Sequence, residues 1–341
     1  MPAEIKAPEV LVTVDGNDVE TAWGGMISRI QVDLDMDDEG SAVIDLEKVY
    51  ELSSHSLSGA VSKGARPGSK VVVKMGYAGA KGNVFAGYLE QVELVSDSES
   101  AFIFRLHACD VVHLMKENSH CRILTQKQHS AVFTQLLGEY AWTGTGAASD
   151  ATDAYDEARN WHQNGTDYDF LIKELIEQCP YDREFYVSDG TAYYKTPDSS
   201  QTVLAITPEE DAATLSAVSR YLHRKIQVYG ASAVCQSFTG SSTAKAAFLS
   251  SSAGAGAEDI VIPDLDSQKT ATAVAAGRAK RLERQSIRLT MELMGNNQLL
   301  AGAYVAVQKL DSIWNGTYRI RQAQHRYDEH GYQTKIVLEG C

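Results

Sequence analysis

The sequence predicts a β-rich α+β fold in which two similar antiparallel β-barrel domains flank, and interleave with, an α+β insert. Three observations predict it. Residues up to about 110 alternate apolar and polar with period two, as strands with one buried face do. From about residue 120 the apolar spacing becomes helical. The closing segment 302–338 then repeats the order first met over 68–106: a glycine entering an alternating strand, a glycine-containing turn, and a hairpin. The boundaries drawn from these changes are 1–112 for the first barrel, 113–200 for the insert and 201–341 for the second barrel.

Within the first barrel, Ile30, Val32 and Leu34 share one face, the acidic DDEG turns the chain, and Ala42, Ile44 and Leu46 return on the matching face, which predicts a hairpin. PGSKVVVKM, VFAGYLEQVELV and SAFIFRLHACD add three strands, with GYAGAKGN as a hairpin connection: it has three glycines but neither the following Ser/Thr nor the helix of a phosphate loop.

The insert opens with TQKQHSAVFTQLLGEYAW, whose Val132, Phe133, Leu136, Leu137 and Tyr140 recur at helical spacing. Thr166 and Asp169 then match a capping box ahead of a second helix, which Pro180 is expected to end. Its apolar stripe is Phe170 or Leu171, Leu175 and Cys179, with Asp167, Asp169, Glu174 and Glu177 on the first turn or the opposite face. FYVSDGTAYY reads as a hairpin with Asp189 and Gly190 in a primed turn.

In the third region RKIQVYG is a strand, the small and polar stretch of about 236–262 is expected to be a flexible loop, and about 266–285 a helix. The helix places Ala271, Ala275, Ala279 and Leu282 inward. Strands follow to the end.

With 44% hydrophobic and 22% charged residues over 341 positions, the composition is that of a globular protein. No apolar run is long enough for a membrane anchor, and MPAEIKAPEV lacks the features of a secretory signal, so synthesis and folding in the cytoplasm are expected. The net charge of −14 is uneven: 9 basic against 18 acidic side chains over 1–112, 7 against 14 over 113–200, and 15 against 13 over 201–341. Binding driven by phosphate neutralisation is therefore not expected, which argues against specific nucleic-acid binding. Five scattered cysteines with no CxxC pair suggest buried free thiols.

The four acids of 167–177 could serve an acid and base pair of the kind glycosidases use, but carboxylates in a first helical turn also stabilise the helix dipole, by about 0.3–1 kcal/mol, with no catalytic role. The structural reading is preferred. His107, Cys109, His113, His120 and Cys121 have ligand chemistry without the spacing of a tetrahedral motif, so no metal or other cofactor is expected. His325 and His330 straddle a turn and are expected as exposed strand-end residues.

The insert motif carried by Gln163, Asn164, Thr166, Asp167, Tyr168, Phe170 and Leu171, the turn at Gly190, and the closing GTYRIRQAQHRYDEHGYQTKIVL with Gly316, Tyr318, His325, Gly331 and Tyr332 resemble the late control gene D family, the hub proteins of phage tail baseplates. The same pattern occurs in the amino-terminal half of VgrG spikes. The resemblance implies a non-enzymatic homotrimer that forms a ring between a threefold central spike and the sixfold inner tail tube, in a virion or a phage-tail-like particle. Tape measure and baseplate wedge proteins would be further contacts. It assigns the residues just named structural roles and implies no cofactor. Because the sequence ends at Cys341 without an OB-fold, a glycine-rich β-helix or a lysozyme-like extension, the spike is expected to be a separate protein. The competing reading is a peptidoglycan or carbohydrate hydrolase associated with a tail particle.

Overall fold

Period-two alternation gives most strands one apolar face; thirteen strands join in a single hydrogen-bonded sheet, and most of them pack that face on one core. The computed structural model describes residues 7–96, 102–140, 146–149, 159–179, 182–231, 237–246, 254–262, 265 and 267–341. The chain begins with β1 (Pro8–Val14), β2 (Asn17–Asp18), β3 (Met26–Asp35), β4 (Ser41–Glu47), β5 (Tyr50–Glu51), β6 (Ser56–Leu57), α1 (Gly59–Gly64), β7 (Lys70–Tyr77), β8 (Gly82–Val95) and β9 (Ile103–Cys109). The insert follows as α2 (Val111–Glu117), β10 (Ser119–Lys127), α3 (His129–Gly138), β11 (Gly146–Ser149), β12 (Arg159–Thr166), α4 (Asp167–Phe170) running into a π-helix (Leu171–Glu177), β13 (Glu184–Ser188) and β14 (Thr191–Lys195). The remainder is β15 (Thr202–Ile206), α5 (Pro208–Asp211), β16 (Ala212–Ser219), β17 (His223–Ala231), β18 (Ser237–Lys245), β19 (Gly256–Ile262), α6 (Gln268–Arg284), β20 (Ile287–Met294), β21 (Tyr304–Val307), β22 (Gly316–Asp328) and β23 (Gly331–Gly340).

The large sheet consists of two runs, β3-β4-β9-β8-β7-β1-β2 and β16-β20-β23-β22-β21-β15, joined where β3 pairs with β22. The expected hairpin is β3–β4, with Ile30 opposite Ile44, Val32 opposite Ala42, and all six apolar residues named for it buried. The repeat between 68–106 and 302–338 is visible in hydrogen bonds. Strands β7-β8-β9 and β21-β22-β23 are antiparallel meanders whose long middle strands carry a register irregularity at Leu89/Gln91 and at Ile320/Gln322. Gly68 and Gly302, both with left-handed φ near +89° and +84°, donate their N–H to Leu89 O at 2.6 Å and Ile320 O at 2.8 Å. Leu89 N and Ile320 N return bonds of 2.8 Å to Ser69 O and Ala303 O.

Two smaller cores sit beside the sheet. In the insert, Val132, Phe133, Leu136 and Leu137 of α3 pack with Trp161, Phe170, Leu171, Leu175 and Tyr194. The helical stripe is as expected, although its C-terminal part is π-helical and ends at Glu177; Pro180 lies outside the described residues. Asp189 and Gly190 have φ of +50° and +69°, which is the primed turn.

The third core corrects the expected loop at about 236–262. Strands β18 and β19 flank β17, and α6 covers them through Ala271, Val274, Ala275 and Ala279. The cause is close approach: a Cβ at Gly240 would lie 2.2 Å from the carbonyl carbon of Ala271, so an alanine-faced helix rests almost directly on the β18 backbone. Small residues serve that contact and carry little hydrophobic signal. Helix α6 starts at the Ser267 cap, whose Oγ accepts from Thr270 N at 3.1 Å. Among the described residues no helix is long and apolar enough to cross a membrane.

Candidate assembly surfaces

Antiparallel pairing of β10 with β12 sets Arg122 opposite Gln163, and the start of α4 places Asp167 against both. Asp167 is fully buried. It accepts from Gln163 Nε2 at 2.6 Å, from Arg122 Nη2 at 3.4 Å and, at closest range, from the Tyr140 hydroxyl. Arg122 also donates Nε to Gln163 Oε1 at 2.8 Å and Nη1 to both Glu139 oxygens at 2.7 Å. Burial, aided by the Asp167 carboxylate, raises the Tyr140 pKa. Asp167 stands on the first turn, as expected, but it is turned inward rather than left in solvent: its lone pairs are taken by protein donors, as a buried carboxylate requires. Asp169 and Glu177 are exposed and Glu174 is half-buried, so the four acids do not converge on one point. Thr166 Oγ1 accepts from Asp169 N at 3.0 Å, completing the expected cap.

The rest of this motif ties the insert to the sheet. Tyr168 donates its hydroxyl to Asp37 O, in the β3–β4 turn, at 2.6 Å, and Lys116 Nζ lies 5.4 Å from its ring centre. Phe170 and Leu171 are in the insert core, with Phe170 edge-on to Trp161 at 6.3 Å, while Asn164 is exposed.

The closing hairpin holds the second group. Gly316, with φ +157°, opens β22, and buried Tyr318 donates its hydroxyl to Trp314 O at 2.8 Å. His325 is completely buried rather than exposed. Its Nδ1 is 2.8 Å from the Tyr332 hydroxyl and its Nε2 3.1 Å from Leu299 O, and burial lowers its pKa to about 4. His330 is exposed as expected, and Gly331, with φ +103°, makes the turn. The register irregularity in β22 explains the difference, because one extra residue flips the facing of every position after it.

Between the two groups runs an ion chain that the sequence reading missed. Arg321 contacts Asp37 and lies 2.9 Å from Glu339, Arg319 contacts both Glu339 and Glu184, and Arg284 lies 3.2 Å from Glu184 and 2.6 Å from Asp182. Burial raises the Glu339 pKa, but Arg319 and Arg321 outweigh it and hold the carboxyl below its usual range. Its signal was the alternation of Arg319 and Arg321 along one strand, which reads as a solvated face until the insert and α6 cover it.

Of the five possible metal ligands, the structure brings Cys109 and His113 together with Glu39, their ligand atoms within 4.8 Å of one another. Cys109 Sγ donates to Glu90 Oε2 at 3.1 Å, and burial, then that carboxylate, pushes its pKa far up, so the thiol keeps its proton. His107 pairs with Glu93 at 3.5 Å, His120 lies 3.6 Å from Asp167, and Cys121 is exposed.

The two strand meanders differ at one edge. On β22, β21 covers Gly316–Arg319 and β3 covers Gln322–Tyr327. On β8, β7 covers Gly82–Tyr88, and among the described residues no strand covers Gln91–Val95 on that side. At the far end of the sheet β16 pairs, among the described residues, only with β20. Large apolar side chains are exposed at both places: Leu94 at 41%, Leu215 at 42%, Val218 at 42% and, just beyond β16, Tyr221 at 66%.

Comparison with known proteins is consistent in one direction. The model of the phage tail baseplate hub (GPD) family matches residues 47–331. No curated protein sequence matches. A tail protein from Neisseria meningitidis MC58 is similar in structure at TM-score 0.68 and 14% identity, covering 98% of this chain and 96% of that one. The 43 kDa tail protein of prophage MuSo2 from Shewanella oneidensis gives TM-score 0.68 and 11% identity, covering 97% and 98%. An Escherichia coli component of the type VI secretion system, itself described as structurally similar to T4 bacteriophage tail proteins, gives TM-score 0.64 and 10% identity over 97% and 76%. At these identities the likeness is one of fold.

Proposed function

This chain belongs to the phage tail baseplate hub family, and from that premise we propose that three copies form a ring that adapts a threefold central spike to a sixfold inner tail tube. The observation that carries the proposal is the pair of matching strand runs in one sheet, each built on a meander with the same glycine entry and the same irregularity in its long strand. One chain thus offers two quasi-equivalent units. Three chains offer six to the tube and three to the spike, and a closed ring of identical subunits satisfies both.

The partners that follow are further copies of the chain, a spike protein and a tube protein, with tape measure and wedge proteins as outer contacts. The motif residues act in this reading as fasteners. Gln163 and Asp167 stiffen the insert, Tyr168 locks it to the sheet, and His325 with Tyr332 closes the last hairpin. The excess of acid over base in residues 1–200 keeps passing DNA from adhering. Mass measurement in solution, alone and with the cognate spike, tests the ring: a trimer in either case supports it, and a monomer in both at micromolar concentration overturns it.

A further inference from the structure

We propose that the unpaired edge of β16 in one copy adds, antiparallel, to the bare half of β8 in the next copy, so that the sheet continues across the subunit boundary. The proposal rests on the ring reading and deepens it by naming the strands and register of the joint.

The register follows from the joint that exists inside one chain. The irregularities at Leu89/Gln91 and Ile320/Gln322 make Gln91 the counterpart of Gln322, and therefore Leu94 the counterpart of His325. On the other side, Ala42 faces Ala108 and Val32, while Leu289 faces Leu338 and Ala217, which makes Ala217 the counterpart of Val32. Within the chain His325 lies opposite Val32 and Gln322 opposite Asp35. Between chains Leu94 then lies opposite Ala217, Glu93 opposite Val218, and Gln91 opposite Arg220. Just past the irregularity, Met36 donates its N–H to Arg321 O at 3.0 Å; the counterpart is Tyr221 N–H to Glu90 O of the next copy.

Burial supports this assignment. The covered members are buried: Ile30 0%, Val32 0%, His325 0% and Met36 7%. Among their uncovered counterparts, Leu215 is 42%, Leu94 41% and Tyr221 66% exposed. Apolar residues persist where the isolated chain leaves them wet. Edge strands are ordinarily guarded by charge or proline, yet β16 reads AATLSAVS with neither. The flanking charges also suit each other: Glu90 and Glu93 on β8, Arg220 and Arg288 beside β16. Each copy gives one edge and receives one, so the contact is heterologous and closes into a ring.

The test is a chain carrying Glu93→Cys and Val218→Cys, oxidised in the assembled state. Directly opposed strand residues fall within disulfide reach. The expected result is covalent linkage up to a closed trimer. The single variants, the unsubstituted chain and the out-of-register pair Glu93→Cys with Ser216→Cys should stay unlinked. Amide exchange on the unsubstituted protein is the second readout, with protection expected at 91–95 and 215–220. A trimer by mass that neither links nor protects those amides overturns this joint and leaves the ring intact. A monomer with and without spike overturns both.

Discussion

Strands β8 and β22 hold the same place in two meanders of one design, yet the chain finishes them differently. Tyr88 lies opposite Cys109 as Arg319 lies opposite Glu339, and Glu90 stands at the irregularity where Arg321 stands. In the last meander these positions form a buried ion chain that fastens the sheet to the insert and to α6. In the first, the thiol of Cys109 bonds to Glu90 and the Tyr88 hydroxyl is buried without a hydrogen-bond partner among the described residues. The backbone tolerates either set. What differs is the covering: the last meander is closed by its own chain and can enclose charges, whereas the first, among the described residues, keeps one edge bare.

The strongest test of that contrast is Arg319→Ala. It strands Glu184 and Glu339 in the interior without their shared guanidinium, and removing one partner of a buried pair costs about 3–5 kcal/mol. Denaturant midpoints at constant slope would read the loss. A change below about 1 kcal/mol would mean that water reaches the chain of ions.

Next in size is a pH effect at His325. Its folded pKa is about 4 against 6.5 for the free group, so the folded state refuses a proton that the unfolded chain accepts. The resulting stability is complete above pH 6.5 and is lost as pH falls from 6.5 to 4, by roughly 3 kcal/mol. His325→Leu, which copies the residue at the matching place in β8, should flatten that slope. Asp110 works in the opposite direction: burial lifts it to about 7 despite bonds of 2.9 Å from Gly40 and Val112 N–H, so its contribution grows as pH falls. The difference between wild type and variant isolates the histidine.

The same comparison marks how far the sequence could be read. Strands, the hairpin turns, the Thr166 cap and the repeated meander were legible because alternation, Asp-Gly and S/T-x-x-D are local signals. Burial of Asp167 was not, since its partners Tyr140, Arg122 and Gln163 come from separate elements. His325 was misread because an irregularity at Arg321 reverses inside and outside, and nothing in RIRQAQHR announces it. Strands β18 and β19 were missed because their close contact with α6 selects small residues. The family resemblance names motif residues but says nothing of what they touch.

A smaller effect is expected at Tyr88. Its hydroxyl is buried with no hydrogen-bond partner among the described residues, so Tyr88→Phe should leave stability unchanged or raise it by up to about 1 kcal/mol. Thermal melting of the two proteins at equal concentration decides. A loss above 1 kcal/mol would show that the hydroxyl holds a bridging water and that the first meander has a polar core of its own.

The smallest effect on the subunit should come from Leu94→Lys, and it separates the two meanders most directly. Leu94 is 41% exposed, so a lysine there can keep its ammonium in water while its stem lies along the sheet. The isolated subunit should change by no more than about 0.5 kcal/mol, as surface substitutions do. In the ring the same side chain would face Ala217 of the neighbouring copy from the core side of the joint, where an unpaired ammonium is costly. Trimer should therefore disappear from mass measurements while the melting curve of the subunit is retained. His325→Lys, at the matching place in β22, should instead unfold or strongly destabilise the subunit, because that site is fully buried within the chain. Equal damage from both lysines would mean that β8 is already covered inside the subunit, and the difference between the two edges would vanish. A subunit indifferent to Leu94→Lys in both folding and trimerisation would leave the edge of β8 outside the assembly.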